Sequence, residues 1–177
     1  MNNKKAMNRI QDLGALIALV LLVIVIGIIS PEFRTVGNFL SLLRQSSING
    51  LIAFGMTCVI LTGGIDLSVG SVLALSTALC AGMISGGVPV GLAMILALVI
   101  GTGLGAVSGV LVTTGRLQPF IATLVTMTVY RGLTMIYMDG KPISDLGDSF
   151  TLKLIGKGNF YHIPIAVILF LVIFGIF

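Results

Sequence analysis

The residue that offers the most chemistry is Asp66, the only charged residue in the span from Gln45 to Gly115. A carboxylate between two apolar runs that are each long enough to cross a bilayer must reach water or find a partner in the protein. The paired glycines before it let the backbone leave helical geometry, and Ser68 and Ser71 are expected to cap the next helix. Residues 63–71, which we call the elbow, therefore predict two apolar helices joined at a sharp polar turn.

No catalytic or metal-binding constellation accompanies this carboxylate in the sequence. The one histidine, His162, lies at a predicted loop-to-helix boundary, and Cys58 and Cys80 lie in apolar segments without a local partner, which indicates buried thiols. Neither a metalloprotease pattern nor a phosphate-binding loop occurs, and the dinucleotide-like run at 101–106 follows no strand. We expect no enzyme activity, no metal, no cofactor and no ATPase site in this chain.

The composition is that of a membrane protein. Of the 177 residues, 56% are hydrophobic and 9% are charged, whereas a soluble domain is usually about a quarter charged. The apolar runs have the roughly 20-residue length of membrane-spanning helices. We predict an all-α, polytopic transmembrane helix bundle. The net charge of +4 does not indicate nucleic-acid binding, because the basic residues are spread along the chain.

About six spans are expected after a polar and basic tail at residues 1–12. The first could be a signal peptide, but its apolar core is too long and no Ala-x-Ala-like site follows. Residues 31–44 are predicted to form an external loop. The last span would cover only about 22 Å of a core of about 30 Å, so the protein is expected to be truncated there. The predicted helices are 13–30, 45–62, 67–85, 89–113, 119–138 and 163–177.

The charges and small residues suggest orientation and packing. Lys4, Lys5 and Arg9 favour a cytoplasmic N-terminus, although positive-inside counting over the other loops is ambiguous. Arg131 is expected to snorkel to the interface or to pair with Asp139 or Asp66. Small residues recur at every fourth position of the third and fourth predicted helices, a pattern that favours close helix packing; the glycines assigned to packing are Gly70, Gly82, Gly101, Gly105 and Gly109.

Two sequence motifs resemble those of the permease subunits of bacterial ATP-binding-cassette sugar importers. They are Thr62-Gly-Gly-Ile-Asp-Leu-Ser-Val-Gly-Ser71 and Gly115-Arg-Leu-Gln-Pro-Phe-Ile-Ala-Thr-Leu124, the second followed by Tyr130-Arg131-Gly132. The resemblance covers nearly the whole chain and favours ribose among the sugars. It implies a multi-pass inner-membrane subunit, surrounded by lipid, that homodimerises around a central path. Its partners would be a periplasmic sugar-binding protein and a cytoplasmic ATP-binding subunit, which would bind the ATP.

The same resemblance suggests which residues line the path. Sugars offer hydroxyls, so neutral hydrogen-bonding groups suit them better than strong charges. Helix packing competes with this role at each position. The candidates are Asn49, Thr62, Asp66, Ser68, Gln118, Phe120 and Thr123.

Three functions remain open from the sequence. The first is a partial sugar-importer permease, which we expect not to support transport alone, because in this family the segment that docks on the ATPase follows the sixth helix. The second is a non-transporting membrane fragment or scaffold. The third is a small proton-coupled carrier that uses Asp66, against which the lack of a second intramembrane acid or histidine counts.

Overall fold

Six α-helices make up most of the residues that the computed structural model describes, which are 13–144, 146–147, 158–160 and 163–176. The basic tail at 1–12, His162, Phe177 and most of the polar stretch before the last helix lie outside these residues. The all-α prediction is confirmed. The helices are α1 (Gly14–Ile29), α2 (Val36–Leu61), α3 (Val69–Ser85), α4 (Val90–Thr113), α5 (Pro119–Tyr137) and α6 (Ile165–Ile176).

Short elements connect some of these helices. A 3-10 helix, Glu32–Arg34, lies between α1 and α2. Strands β1 (Asn159–Phe160) and β2 (Ile163–Pro164) pair antiparallel just before α6. The chain forms two compact units, Met1–Ser46 and Ser47–Phe177, and the elbow belongs to the second.

Helix α2 begins nine residues earlier than the predicted start at residue 45, within the predicted external loop. Its start is marked by Thr35, whose Oγ1 accepts a hydrogen bond of 3.2 Å from the backbone N–H of Asn38, the bond typical of an N-cap. The charges of Arg34 and Arg44 suggested a loop, but the side chains between them include Val36, Phe39 and two consecutive leucines. A cap followed by apolar residues is a helix start, so most of the predicted loop is helical.

Two helices, α4 and α5, are long and apolar enough to cross a membrane, and α1, α3 and α6 are apolar but shorter. Large apolar side chains face outward, as Leu98 does with 73% of its surface exposed. The buried positions of the second unit are occupied largely by small or hydroxyl-bearing side chains. Such a distribution suits helices that pack in lipid, where close backbone approach and hydrogen bonds replace the hydrophobic effect.

Helix α3 packs against both α4 and α5. The buried apolar residues of these three helices are Leu75, Ala78, Ala93, Ala122 and Tyr130. The phenol of Tyr130 donates a hydrogen bond of 2.9 Å to the backbone carbonyl of Leu104, which joins α5 to α4. Several of the buried hydroxyls of this core, among them Ser68, Ser71 and Thr123, lie at the elbow end of the helices.

Three phenylalanines join α2 to α6 within the second unit. The ring of Phe54 stacks on Phe170, with centroids 5.4 Å apart and planes 5° apart, and on Phe174 at 5.5 Å. Offset stacking of this kind adds to the energy of apolar burial. Gly50 lies under the Phe170 ring, and a Cβ placed there would overlap the ring edge.

We expect Gly50→Ala to be less stable than the matched variant Gly55→Ala on the same helix. Alanine normally stabilises a helix interior by about 0.5–1 kcal/mol relative to glycine, and a Cβ at Gly55 meets nothing within 4 Å. At Gly50 the methyl group must displace Phe170, and overpacking costs about 1–3 kcal/mol. Unfolding in detergent micelles, followed by circular dichroism, measures the difference; equal stability of the two variants would contradict the described ring position.

Candidate functional site

The elbow begins where α2 ends in a left-handed glycine. Gly63 has φ +76°. Its N–H donates to the carbonyl of Ile60 at 2.9 Å, and the N–H of Gly64 donates to the carbonyl of Val59 at 3.0 Å. These two bonds form a Schellman motif, which satisfies carbonyls at a helix end and favours glycine at the left-handed position. The paired glycines therefore end the helix as the sequence suggests.

The Asp66 carboxylate is held through one of its oxygens. Its Oδ1 accepts the backbone N–H of Ser68 at 2.7 Å and the hydroxyl of Ser68 at 2.6 Å, so the two residues form an Asx turn. Ser68 occupies the cap position of α3 but makes no side-chain cap bond. The expectation that Ser68 caps α3 is wrong, because its backbone has helical dihedral angles (φ −79°, ψ −14°), whereas a capping residue is extended so that its side-chain oxygen can accept a backbone N–H.

A chain of buried hydroxyls extends from this turn into the helix bundle. The Oγ atoms of Ser68 and Ser108 lie 3.3 Å apart, and Ser108 donates to Oγ1 of Thr126 at 3.0 Å. Thr126 in turn bonds the carbonyls of Ala122 and Thr123 at 3.2 Å. The three hydroxyl residues are at most 4% exposed. The elbow, α4 and α5 are thus joined by side-chain hydrogen bonds rather than by apolar contact alone.

The row of hydroxyls from Ser68 to Thr126 has fewer protons than it has contacts between oxygen atoms. Each hydroxyl carries one proton, and those of Ser68 and Ser108 are already donated to Asp66 and Thr126. Ser68 and Ser108 therefore form a hydrogen bond with each other only when one of these two hydroxyls turns away from its other acceptor.

Thr123 ties the first turn of α5 to the elbow. Its Oγ1 lies 2.7 Å from the carbonyl of Pro119 in its own helix and 3.3 Å from the carbonyl of Ile65. The side chain is 3% exposed. The start of α5 is consequently fixed against the backbone immediately before Asp66.

A cavity of about 230 Å³ lies between the elbow, the end of α4 and the start of α5. Among the predicted path residues, Thr62, Asp66 and Thr123 line it, and Ser68 is buried beside it through its bonds to Asp66 and Ser108. Three other candidates are exposed and do not line this cavity: Asn49, Gln118 and Phe120. Their role in a path stays a prediction.

The glycines assigned to packing occupy two kinds of environment. A Cβ at Gly82 would overlap the phenol of Tyr137, and one at Gly101 would lie 3.6 Å from Ser76. At the other three, Gly70, Gly105 and Gly109, an added Cβ meets nothing within 4 Å. With 3.6 residues per turn, each four-residue step rotates the position by about 40°, so a strict repeat drifts off the packed face. On α4 the drift brings Gly105 and Gly109 to the cavity.

Ser108 is one of the site residues that were not predicted from the sequence, as are Thr113 and Thr126. It lies between Gly105 and Gly109 and follows Gly101 by seven residues, which is nearly two helical turns. The spacing places Ser108 on the same helix face as Gly101, and this is the signal in the sequence that points to it. Among the described residues, no group of three His, Cys, Asp or Glu side chains could hold a metal ion.

These features define a class: a helical membrane protein whose packed core is rich in hydroxyls and which has, at one end, a small cavity with a carboxylate and hydroxyls in a largely apolar wall. The chain belongs to the family described as the permease component of the branched-chain amino acid transport system, whose profile matches residues 38–177.

Three proteins similar to this chain are named as ribose import permease proteins. The chain is 54% identical over 166 residues to the ribose import permease protein of Bacillus subtilis. The matched segment covers 94% of this chain and 52% of that protein. The Haemophilus influenzae ribose import permease protein is 49% identical over 90% of this chain and 50% of its own length. The Escherichia coli K12 protein of that name is 48% identical over 76% and 42%. The chain thus spans about half the length of these relatives. No solved structure matches it.

We expect Ser108→Ala to lower the free energy of unfolding by about 0.6 kcal/mol or more, up to about 1.7 kcal/mol, the mean and the maximum measured for hydrogen bonds between membrane helices. The matched variant is Thr102→Val on the same helix, because the Thr102 hydroxyl bonds only the Leu98 carbonyl of its own helix. That variant is expected to stay within about 0.5 kcal/mol of the unmodified chain. Unfolding in detergent micelles measures both, and an equal loss in the two variants would refute the interhelical role of Ser108.

Proposed function

We propose that this chain is the membrane-spanning permease subunit of an ATP-driven sugar importer, that ribose is the sugar, and that the chain forms part of the translocation path. The observation that carries the proposal is the 54% identity to a ribose import permease protein across 94% of the chain. The family description refers to amino acids. We give the named relatives more weight on substrate, because their identity to this chain extends along nearly all of it.

The proposal includes the surroundings of such a subunit. The chain would cross the bacterial inner membrane several times, with its N-terminus in the cytoplasm and lipid around its apolar faces. A periplasmic sugar-binding protein would deliver the sugar, a separate cytoplasmic subunit would bind the ATP, and a second copy of the permease would complete the path.

The site's chemistry supports a path for a neutral polyol. The polar side chains at the elbow cavity are one carboxylate and several hydroxyls, all of which can bond sugar hydroxyls without requiring the solute to be charged. Thr62, Asp66, Ser68 and Thr123 are the path residues that this geometry favours. Asn49, Gln118 and Phe120 are proposed for the path on the family resemblance alone.

A chimera tests the proposal. The 177 residues replace the matching half of the Bacillus subtilis ribose import permease protein in cells that lack their own copy. We expect uptake of radiolabelled D-ribose to be restored, because this half would supply its share of the path. The measurement is the initial rate of uptake with and without an excess of unlabelled ribose, allose or fructose.

The control strain also lacks the ATP-binding subunit, and uptake there is expected to fall to background. Uptake that persists in that strain would contradict an ATP-driven mechanism and favour a secondary carrier. A chimera that is present in the membrane but imports no ribose would contradict the proposed function.

The proposed orientation predicts on which side of the membrane two turns lie. Alkaline phosphatase needs the oxidising periplasm for its disulfides. We expect a fusion after Gly87, in the turn between α3 and α4, to be active, and a fusion after Arg116, between α4 and α5, to be inactive. The reverse pattern of enzyme activity would place the N-terminus outside the cytoplasm.

A further inference from the structure

We propose that the elbow cavity is a binding site for one monosaccharide, in which Oδ2 of Asp66 accepts hydrogen bonds from the sugar's hydroxyls. The sugar class rests on the proposed function, which this site would serve as a station within the path. The inference that the cavity takes a small donor-rich ligand rests on its geometry.

The first observation is that only one oxygen of the Asp66 carboxylate is occupied. Both bonds from Ser68 go to Oδ1, and no residue in the described part of the chain donates to Oδ2. Asp66 is half-buried and lines the cavity. A carboxylate has about four lone-pair sites, so it retains acceptor capacity at Oδ2. Its ligand must supply donors.

The second observation is that the threonine hydroxyls of the cavity wall also present acceptors. Thr62, Thr113 and Thr123 each donate their proton to a carbonyl of their own segment, at 2.7, 2.8 and 2.7 Å. Each hydroxyl oxygen keeps lone pairs for a further bond. The wall thus combines a carboxylate oxygen with hydroxyl acceptors, which matches a ligand that carries several O–H donors.

The third observation concerns size and shape. A volume of about 230 Å³ equals about eight water molecules at ~30 Å³ each and lies below the ~300–1,000 Å³ of pockets for drug-sized ligands. A single sugar ring is of this scale, whereas a bare cation is much smaller. Val59, Val112 and Pro119 supply apolar wall for the C–H face of the ring. Gly105 and Gly109 keep the opposite wall open, since neither has a side chain.

The test is saturation-transfer NMR of D-ribose with the full chain in lipid nanodiscs. Asp66→Asn is expected to weaken ribose binding about tenfold or more, because it replaces a charged acceptor of the ligand's hydrogen bonds. Gly109→Val fills the cavity and is expected to weaken binding to a similar degree. The matched variant is Gly103→Val on the same helix, where an added Cβ also meets nothing within 4 Å but which does not line the cavity; it should bind ribose as the unmodified chain does.

Each outcome decides the proposal. Equal ribose signals from Gly109→Val and Gly103→Val would overturn it, as would loss of the ribose signal on addition of sodium chloride, which would make this a cation site. If Asp66→Asn does not fold, the comparison of Gly109→Val with Gly103→Val still tests whether ribose binds in the cavity. Ribose import by the chimera without binding at this cavity would refute the site and leave the proposed function standing. Binding at the cavity without import would refute the function and leave the site standing.

Discussion

The Asx turn between Asp66 and Ser68 is the constraint on which the rest of the site depends. The carboxylate accepts hydrogen bonds from both the N–H and the hydroxyl of Ser68, and these bonds hold the start of α3 against the elbow. Both bonds go to Oδ1, so Oδ2 stays free of them. The same turn holds the Ser68 oxygen against Ser108, from which the hydroxyl chain reaches α5. One charged side chain in an apolar span thus organises three helices.

Intrahelical hydrogen bonds decide the polarity of the cavity. A threonine in a helix gives its proton to a carbonyl three or four residues earlier, as Thr113 and Thr123 do, so only its lone pairs face the interior. Ser108 departs from this pattern by donating across helices to Thr126. Ser108 therefore lines the cavity, as Thr113 and Thr123 do, and also joins α4 to α5.

The sequence was sufficient for the helices and for the elbow, but not for the partners of individual side chains. Apolar runs and glycine pairs are local signals, and they predict α3, α4 and α5 to within a few residues. The early start of α2 differs from the prediction, which rests on the charged residues between 31 and 44 and does not use the cap that Thr35 supplies. Contacts such as Ser108 with Thr126 join residues of different helices, and helix rotation, which the four-residue repeat misjudges by about 40° per step, decides them.

The arrangement of side chains in this bundle reverses that of a soluble protein, with hydroxyls inside and leucines such as Leu98 outside. Many large apolar side chains are exposed in this way, and soluble monomers rarely expose apolar patches larger than a few hundred Å², so water is a poor solvent for the folded form. Lipid or detergent is therefore a component of the native state. Any stability measured for this chain is a property of the chain together with the amphiphile that surrounds it.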